Sequence, residues 1–200
     1  MCNLDPAAEV FKYKCDIDIR DLISLDDVQQ LENFGPNGGL IYCMEHLVEN
    51  IDWLIDELNE FADDSFILFD CPGQIELYSH LDVMQRLTKA ISKSGFNLCA
   101  GYCTDATYLT EPTKYIATCL TSVSAMVQIA LPHLNILTKC DKVNNTELIE
   151  EAAESTSCAD FISKQMDSRN FFNKKFFKLN ERIVDVIDNF WSVNFQTLNI

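Results

Sequence analysis

The sequence predicts an α/β fold with one parallel sheet and helices on both faces. Short apolar runs alternate with longer stretches of helical periodicity along the chain. One such run, Phe66-Ile67-Leu68-Phe69, leads directly into Asp70 and a Pro-Gly turn. That is where sheets of this class carry their chemistry, at the carboxyl ends of strands. With 200 residues and 48% hydrophobic content, residues 1–200 are expected to form one domain with a substantial core.

Taken in order, Cys2-Asn3-Leu4 is a strand stub that runs into Asp5-Pro6-Ala7-Ala8-Glu9. Asp16 to Leu31 carries an irregular helical stripe of Ile19, Leu22, Ile23, Leu25 and Val28. The glycines of Phe34-Gly35-Pro36-Asn37-Gly38-Gly39-Leu40 predict a tight loop with positive φ angles and exposed N–H groups. Such a loop could cradle an anion; a plain connector is the alternative. Leu40 to Phe61 reads as one long helix, with Met44, Leu47, Ile51, Leu54 and Leu58 at three- and four-residue steps. Phe66 to Phe69 has the pattern of a fully buried strand. Ser79 is placed as the cap of a helix running to about Ser94, which Gly95 ends.

Phe96 to Thr104 reads as a core strand ending at Asp105, with Cys99 and Cys103 as buried thiols on one face. Thr113 to Ala130 is helical, with Ile116, Leu120, Val123, Met126 and Val127 inward, and Pro132 stops it. His133 to Leu137 is a short strand that delivers Thr138-Lys139-Cys140-Asp141. Another helix starts near Thr146, and Ser155 to Ser168 reads as a loop with one short helix. Phe171 to Trp191 is helical, carrying Phe176, Leu179, Ile183, Val184, Ile187 and Phe190. Lys174, Lys175 and Lys178 form its wet side. Val193 to Leu198 is the last strand.

The net charge of −16 argues against direct nucleic-acid or anionic-membrane binding and suits a basic protein partner. No apolar run has transmembrane length and the amino terminus has no signal pattern, so an intracellular, soluble chain is expected. Nine cysteines without a Cys-x-x-Cys pair read as reduced thiols.

Two segments carry chemistry. In Asp70-Cys71-Pro72-Gly73-Gln74-Ile75-Glu76, the Asp closes a strand and Gly73 lets a backbone N–H approach an anion. Gln74 and Glu76 follow where a water could be oriented; an ordinary Pro-Gly turn is the alternative. In Thr138-Lys139-Cys140-Asp141, a buried Asp could accept from guanine N1–H and the exocyclic amino group, a donor pair that adenine lacks. The lysine stem could lie along the face of the base.

These segments, with Asn3-Leu4-Asp5-Pro6-Ala7-Ala8-Glu9 and Gly35-Pro36-Asn37, make the chain resemble the GPN-loop GTPases from end to end. Asp18-Ile19-Arg20-Asp21-Leu22 and Val193-Asn194-Phe195 are more similar to the third eukaryotic paralogue than to the second. The resemblance implies a P-loop NTPase-like fold, GTP and Mg2+ as cofactors, and GTP hydrolysis. It implies that Asp70 holds the metal shell, Gly73 senses the γ-phosphate, Gln74 and Glu76 help position the attacking water, and Asp5 joins them near the metal and the water. Gly35, Pro36 and Asn37 would reach toward a partner's nucleotide, and Thr138, Lys139 and Asp141 would read guanine. Further implications are a dimer with a sister paralogue or with itself, and contacts with RNA polymerase II subunits during that enzyme's assembly and nuclear import. The corresponding location is cytoplasmic with shuttling to the nucleus.

One departure stands out. Family members open with a strand, a Gly-x-x-Gly-x-Gly-Lys-Ser/Thr phosphate loop and a helix, and these 200 residues contain no such loop. A strand–loop–helix of about 30 residues is expected to be missing ahead of Met1, and a carboxyl-terminal extension after Ile200. A late-starting gene model or splice form accounts for this. The alternative is a nucleotide-independent assembly module.

Overall fold

A computed structural model describes residues 1–32, 34–62, 64–155, 157–166, 177–190 and 194–198. They fall into two compact units, Met1–Asn97 and Leu98–Ile200. Among the described residues every strand pairing is parallel, as the sequence predicts, but the pairings form two three-stranded sheets where one was expected.

The first unit holds β1 (Cys2–Asn3), β2 (Ile17–Asp18) and β3 (Phe69–Asp70), in the order β2-β1-β3. Its helices are α1 (Leu25–Glu32), α2 (Pro36–Glu49), α3 (Ile51–Asn59), α4 (Glu76–Ser79) and α5 (Val83–Lys93). Leu40, Met44, Leu47, Leu54, Leu58, Leu77 and Leu87 are buried and form its interior.

Several expectations are corrected here. The stretch from Asp16 starts as a strand and a 3-10 turn at Ile19–Asp21, because the Asp18 carboxylate accepts from the Arg20 N–H at 3.0 Å and caps the turn. Phe66 to Phe69 is not a buried strand: Phe66 is 89% exposed and Leu68 52%. Only Phe69 of that run is strand, because β1 offers just Cys2 and Asn3 as ladder partners. The long helix divides at Asn50, whose side-chain amide donates to the His46 carbonyl at 2.9 Å and so ends α2. Ser79 closes α4, its hydroxyl donating back to the Ile75 carbonyl at 2.9 Å, and α5 starts after Asp82. Gly95 at φ +99° does follow α5, as predicted.

The Gly-Pro-Asn segment is not an irregular loop. Gly35 caps α2 in an extended conformation and Pro36 takes its first position, where the ring's fixed φ suits a helix. The positive φ values predicted for this stretch are absent; among the described glycines only Gly95 has one. Gly39 is buried against α1, where a Cβ would lie 2.7 Å from Leu25 Cδ1 and that side-chain end would have to shift to admit it. At Gly38 the nearest atom, Phe34 Cδ1, would be at an ordinary 3.4 Å. Gly38→Ala should therefore stabilise the protein by about 0.5–1 kcal/mol through helix propensity. Gly39→Val should destabilise it by about 1–3 kcal/mol through overpacking. Thermal denaturation of both variants checks this; shifts of the same sign would mean that α1 and α2 are not closely packed at Gly39.

The second unit holds β4 (Ala100–Asp105), β5 (His133–Thr138) and β6 (Phe195–Thr197), with β5 central. Its helices are α6 (Pro112–Ile129), α7 (Thr146–Glu154), α8 (Cys158–Met166) and α9 (Phe177–Phe190). Tyr115 of α6 anchors the interior, with ring centroids 4.4 Å from Phe161 of α8 and 6.0 Å from Phe195 of β6. Cys119, Leu137 and Ile187 complete it. Ile116, Val123, Val184 and Ile187 face inward as predicted, but Leu120, Val127 and Leu179 are exposed. Cys99 and Cys103 are exposed too, not buried thiols. Phe171, Phe172, Lys174, Lys175, Phe176, Trp191 and Val193 lie outside the described residues, as does the side chain of Phe190. No helix among the described residues is long and apolar enough to cross a membrane.

Candidate functional site

Three neighbouring strands of the first unit deliver carboxylates at their carboxyl ends. Asp18 is the last residue of β2, Asp70 the last of β3, and both register with Asn3 of β1. Asp5 follows β1 by two residues. Buried Asn3 ties the group together: its amide donates to Asp18 Oδ1 at 2.9 Å and to the Asp5 carbonyl at 3.0 Å. Its Oδ1 also accepts from the Asp5 N–H at 3.0 Å. Asn3 is a site residue that its sequence context gave no reason to single out, since only the folded register shows it between the carboxylates.

The carboxylates are not equivalent. Asp18 is engaged by Arg20, at 2.6 Å between Oδ2 and the guanidinium. Burial opposes its ionised form, but the Arg20 and Asn3 bonds prevail and hold the carboxyl below its usual range. Asp5 Oδ1 accepts from the Ala7 N–H at 2.9 Å. Asp70 is exposed, and its Oδ2 accepts from the Tyr13 hydroxyl at 2.6 Å. Burial, then this bond, push the Tyr13 phenol above its usual range.

Beyond β3 the chain turns at Pro72-Gly73, where the Tyr78 hydroxyl donates to the Pro72 carbonyl at 2.5 Å. A Cβ on Gly73 or on Gly35 would meet nothing within 4 Å, and neither residue has a positive φ. Packing does not require glycine at either place, which fits close approach by a bound anion. Gln74 Nε2 donates to Asn37 Oδ1 at 2.8 Å, so the Asp-Cys-Pro-Gly-Gln and Gly-Pro-Asn segments meet. Glu76 opens α4 and is exposed.

Among the described residues no three His, Cys, Asp or Glu side chains converge as a metal cage. Asp5 and Asp70 fit a hard cation of the Mg2+ type all the same, because that ion commonly takes one or two carboxylates and completes its shell from water and phosphate.

In the second unit, β5 ends in the other predicted group. Thr138 Oγ1 donates to the Thr104 carbonyl at 3.0 Å. Lys139 sits in the left-handed region at φ 57°, uncommon for a residue with a side chain. Its Nζ donates to Asp105 Oδ2 at 2.9 Å. Asp105 Oδ1 accepts from the Thr107 N–H at 2.9 Å and from its hydroxyl at 2.7 Å. Asp141 lies in the 3-10 turn Cys140–Lys142 and is exposed rather than buried; no described residue bonds its carboxylate. A free carboxylate on a short rigid turn still fits a base edge offering two donors.

Burial disfavours the charged form of Asp105, yet the Lys139 and Thr107 bonds outweigh it and hold the carboxyl at about 2. The pair therefore stabilises the fold above the ordinary carboxyl value of 3.8 and ceases to as pH falls through about 2. Asp105→Asn should remove that contribution, a few tenths to about 1 kcal/mol for a half-exposed pair. Denaturant midpoints of the two proteins should then differ at pH 6 and converge toward pH 2. A constant difference across that range would assign the stability to something other than the ion pair.

A family model described as "Conserved hypothetical ATP binding protein" matches residues 1–200. Curated relatives named GPN-loop GTPase 3 match over nearly the whole chain. The protein of Mycosarcoma maydis is 45% identical, covering 98% of this chain and 73% of the relative. That of Saccharomyces cerevisiae is 41% identical, over 98% and 72%. That of Dictyostelium discoideum is 38% identical, over 99% and 69%. Among solved structures, an apo-form GTPase from Pyrococcus abyssi superposes with a TM-score of 0.75 at 18% identity, over 98% of this chain and 77% of that one. That likeness bears on the fold, a GTPase's α/β architecture.

Proposed function

Since the chain belongs to the GPN-loop GTPase family, a family of GTP hydrolases, we propose that its two groups of site residues serve Mg2+-dependent GTP hydrolysis. The observation that carries this reading is the Gln74–Asn37 hydrogen bond. It joins the family's Gly-Pro-Asn segment to the segment that begins with the strand-end carboxylate Asp70.

Bound Mg2+ would offset charge developing on the phosphate oxygens. Asp70 and Asp5 supply carboxylates for its shell. The Gly73 N–H, open to solvent, donates to a terminal phosphate oxygen. The Gln74 amide and the Glu76 carboxylate hold an attacking water, and the carboxylate accepts its proton. Thr138 and Lys139 shape the place for a purine, and Asp141 accepts from guanine's two donors. Gly35, Pro36 and Asn37 open α2, where a helix amino terminus favours phosphate. The family resemblance supports a dimer with a sister paralogue or a second copy. It also supports a role in RNA polymerase II assembly and nuclear import, through contacts with polymerase subunits and shuttling between cytoplasm and nucleus. A net charge of −16 suits docking to a basic protein rather than to nucleic acid or membrane.

Asp141→Asn tests the guanine assignment. An amide cannot accept from both base donors, so GTP affinity should fall by about 2–4 kcal/mol. Xanthosine triphosphate carries a carbonyl in place of the exocyclic amino group, and the variant should prefer it. Calorimetric titration of both nucleotides checks this; unchanged GTP affinity would remove Asp141 from the site. A second reading, a nucleotide-independent assembly module, draws on the missing Gly-x-x-Gly-x-Gly-Lys-Ser/Thr pattern in these 200 residues. It requires that the wild-type chain bind neither nucleotide.

A further inference from the structure

We propose that Asp105 is a positioning residue for base recognition: it holds the Lys139 ammonium so that the lysine stem forms a fixed shelf for a purine and Asp141 stays free. The inference rests on the reading of Lys139 and Asp141 as the guanine site, and it adds a residue that reading does not contain.

A lysine side chain is flexible, and Lys139 is 52% exposed, so nothing but a specific partner would hold it in one place. Asp105 is such a partner. It ends β4 in register with Thr138, and two donors from Thr107 fix its carboxylate before Lys139 arrives. The Lys139–Asp105 contact and the Thr138–Thr104 bond thus fasten the end of β5 to the end of β4 at adjacent positions. The Lys139 carbonyl also accepts from the Lys142 N–H at 3.0 Å, starting the turn that presents Asp141. One residue therefore sets both the stem and the turn.

Charge adds a second effect. Lys139 and Asp141 are two residues apart, and an unrestrained ammonium would be drawn to the Asp141 carboxylate. That contact would mask the group meant for guanine. Asp105 takes the ammonium instead, and Asp141 is left without a protein partner among the described residues.

The test is a double-mutant cycle on the full 200-residue chain, with GDP as the probe in calorimetric titration. Asp105→Asn keeps an acceptor for Thr107 and removes the charge that holds Lys139. It should weaken GDP binding about tenfold, the equivalent of one charge-assisted hydrogen bond. Because Asp105 acts through Lys139, Asp105→Asn should cost nothing further in a Lys139→Ala background. Asp105→Glu should recover part of the loss, and circular dichroism spectra of all variants should match the wild type. Equal affinity of Asp105→Asn and wild type, or additive losses in the double variant, would overturn the proposal while leaving the guanine site intact. Wild-type chain that binds GDP no more tightly than ADP would instead remove the guanine site itself, and the proposal with it.

Discussion

Joined to a phosphate-loop segment taken from a longer relative, the protein should bind GTP at least about a thousandfold more tightly than the 200 residues alone. In this fold the triphosphate is held mainly by a run of backbone N–H groups and a lysine in a Gly-x-x-Gly-x-Gly-Lys-Ser/Thr loop. Each charge-assisted hydrogen bond contributes roughly 1.5–3 kcal/mol, so three of them exceed about 4 kcal/mol. Asp5 and Asp70 would also lack the loop hydroxyl that completes a metal shell. The 200 residues alone should release no measurable phosphate, and the joined protein should do so at a rate set by Gln74 and Glu76. The check pairs GTP titration with phosphate release for both proteins. Equal turnover would move the phosphate cradle onto Gly35, Pro36 and Asn37 at the start of α2.

Phe161→Ala should destabilise the second unit by about 3–5 kcal/mol, the usual cost of emptying a fully buried aromatic site. Phe161 is 0% exposed and its ring lies 4.4 Å from Tyr115, which in turn meets Phe195 of β6. Removing it strips one side of Tyr115 and loosens the joint between α6, α8 and the sheet. A domain of this size is stable by only about 5–15 kcal/mol, so the variant would lose a large part of that margin. Val127→Ala on α6 is the control: at 56% exposed it should change stability by less than about 0.5 kcal/mol. Denaturant unfolding followed by near-ultraviolet circular dichroism measures both. A Phe161→Ala midpoint close to that of the control would mean that the aromatic cluster does not hold this unit together.

Much of the architecture was readable from residues because alternation and strand-end Asp residues are local signals. β5 was placed from His133-Leu134-Asn135-Ile136-Leu137, and α6 from its stripe, each within two residues of its observed bounds. Periodicity says which side chains share a face; it does not say what covers that face. Leu120 and Val127 have the right spacing for a buried stripe, yet α6 turns them to solvent. Phe66 to Phe69 has a buried strand's composition, but strand length is decided by the partner, and β1 pairs through only two residues. The Gly-Pro-Asn stretch was misread because glycine's conformational freedom and its lack of bulk leave the same mark in a sequence. Here no positive φ is used, and of the three glycines only Gly39 has a neighbour, Leu25, closer than ordinary contact to a Cβ. At the sites, the motif residues Asp70, Gln74, Lys139 and Asp141 were legible. The supporting residues Asn3, Tyr13 and Asp105 were not, since their bonds to Asp18, Asp70 and Lys139 span 15, 57 and 34 positions.

The all-parallel ladders have a consequence for how the chain reaches this structure. A hairpin can zip from its turn, closing one short loop and adding bonds neighbour by neighbour. No described strand here can do that, because parallel partners cannot meet through a tight turn: residues 4–16 separate β1 from β2, and helices lie between the partners of every other pair. Loop closure comes first, and such topologies fold slowly. β1 leaves the ribosome well before its neighbour β3, which emerges only after α1, α2 and α3. Until then the Cys2 and Leu4 amides, which end bonded to the Leu68 and Asp70 carbonyls, have no acceptors in the sheet. The nascent chain thus carries an open strand edge through much of its synthesis, the interval in which a chaperone that shields such edges acts to greatest effect.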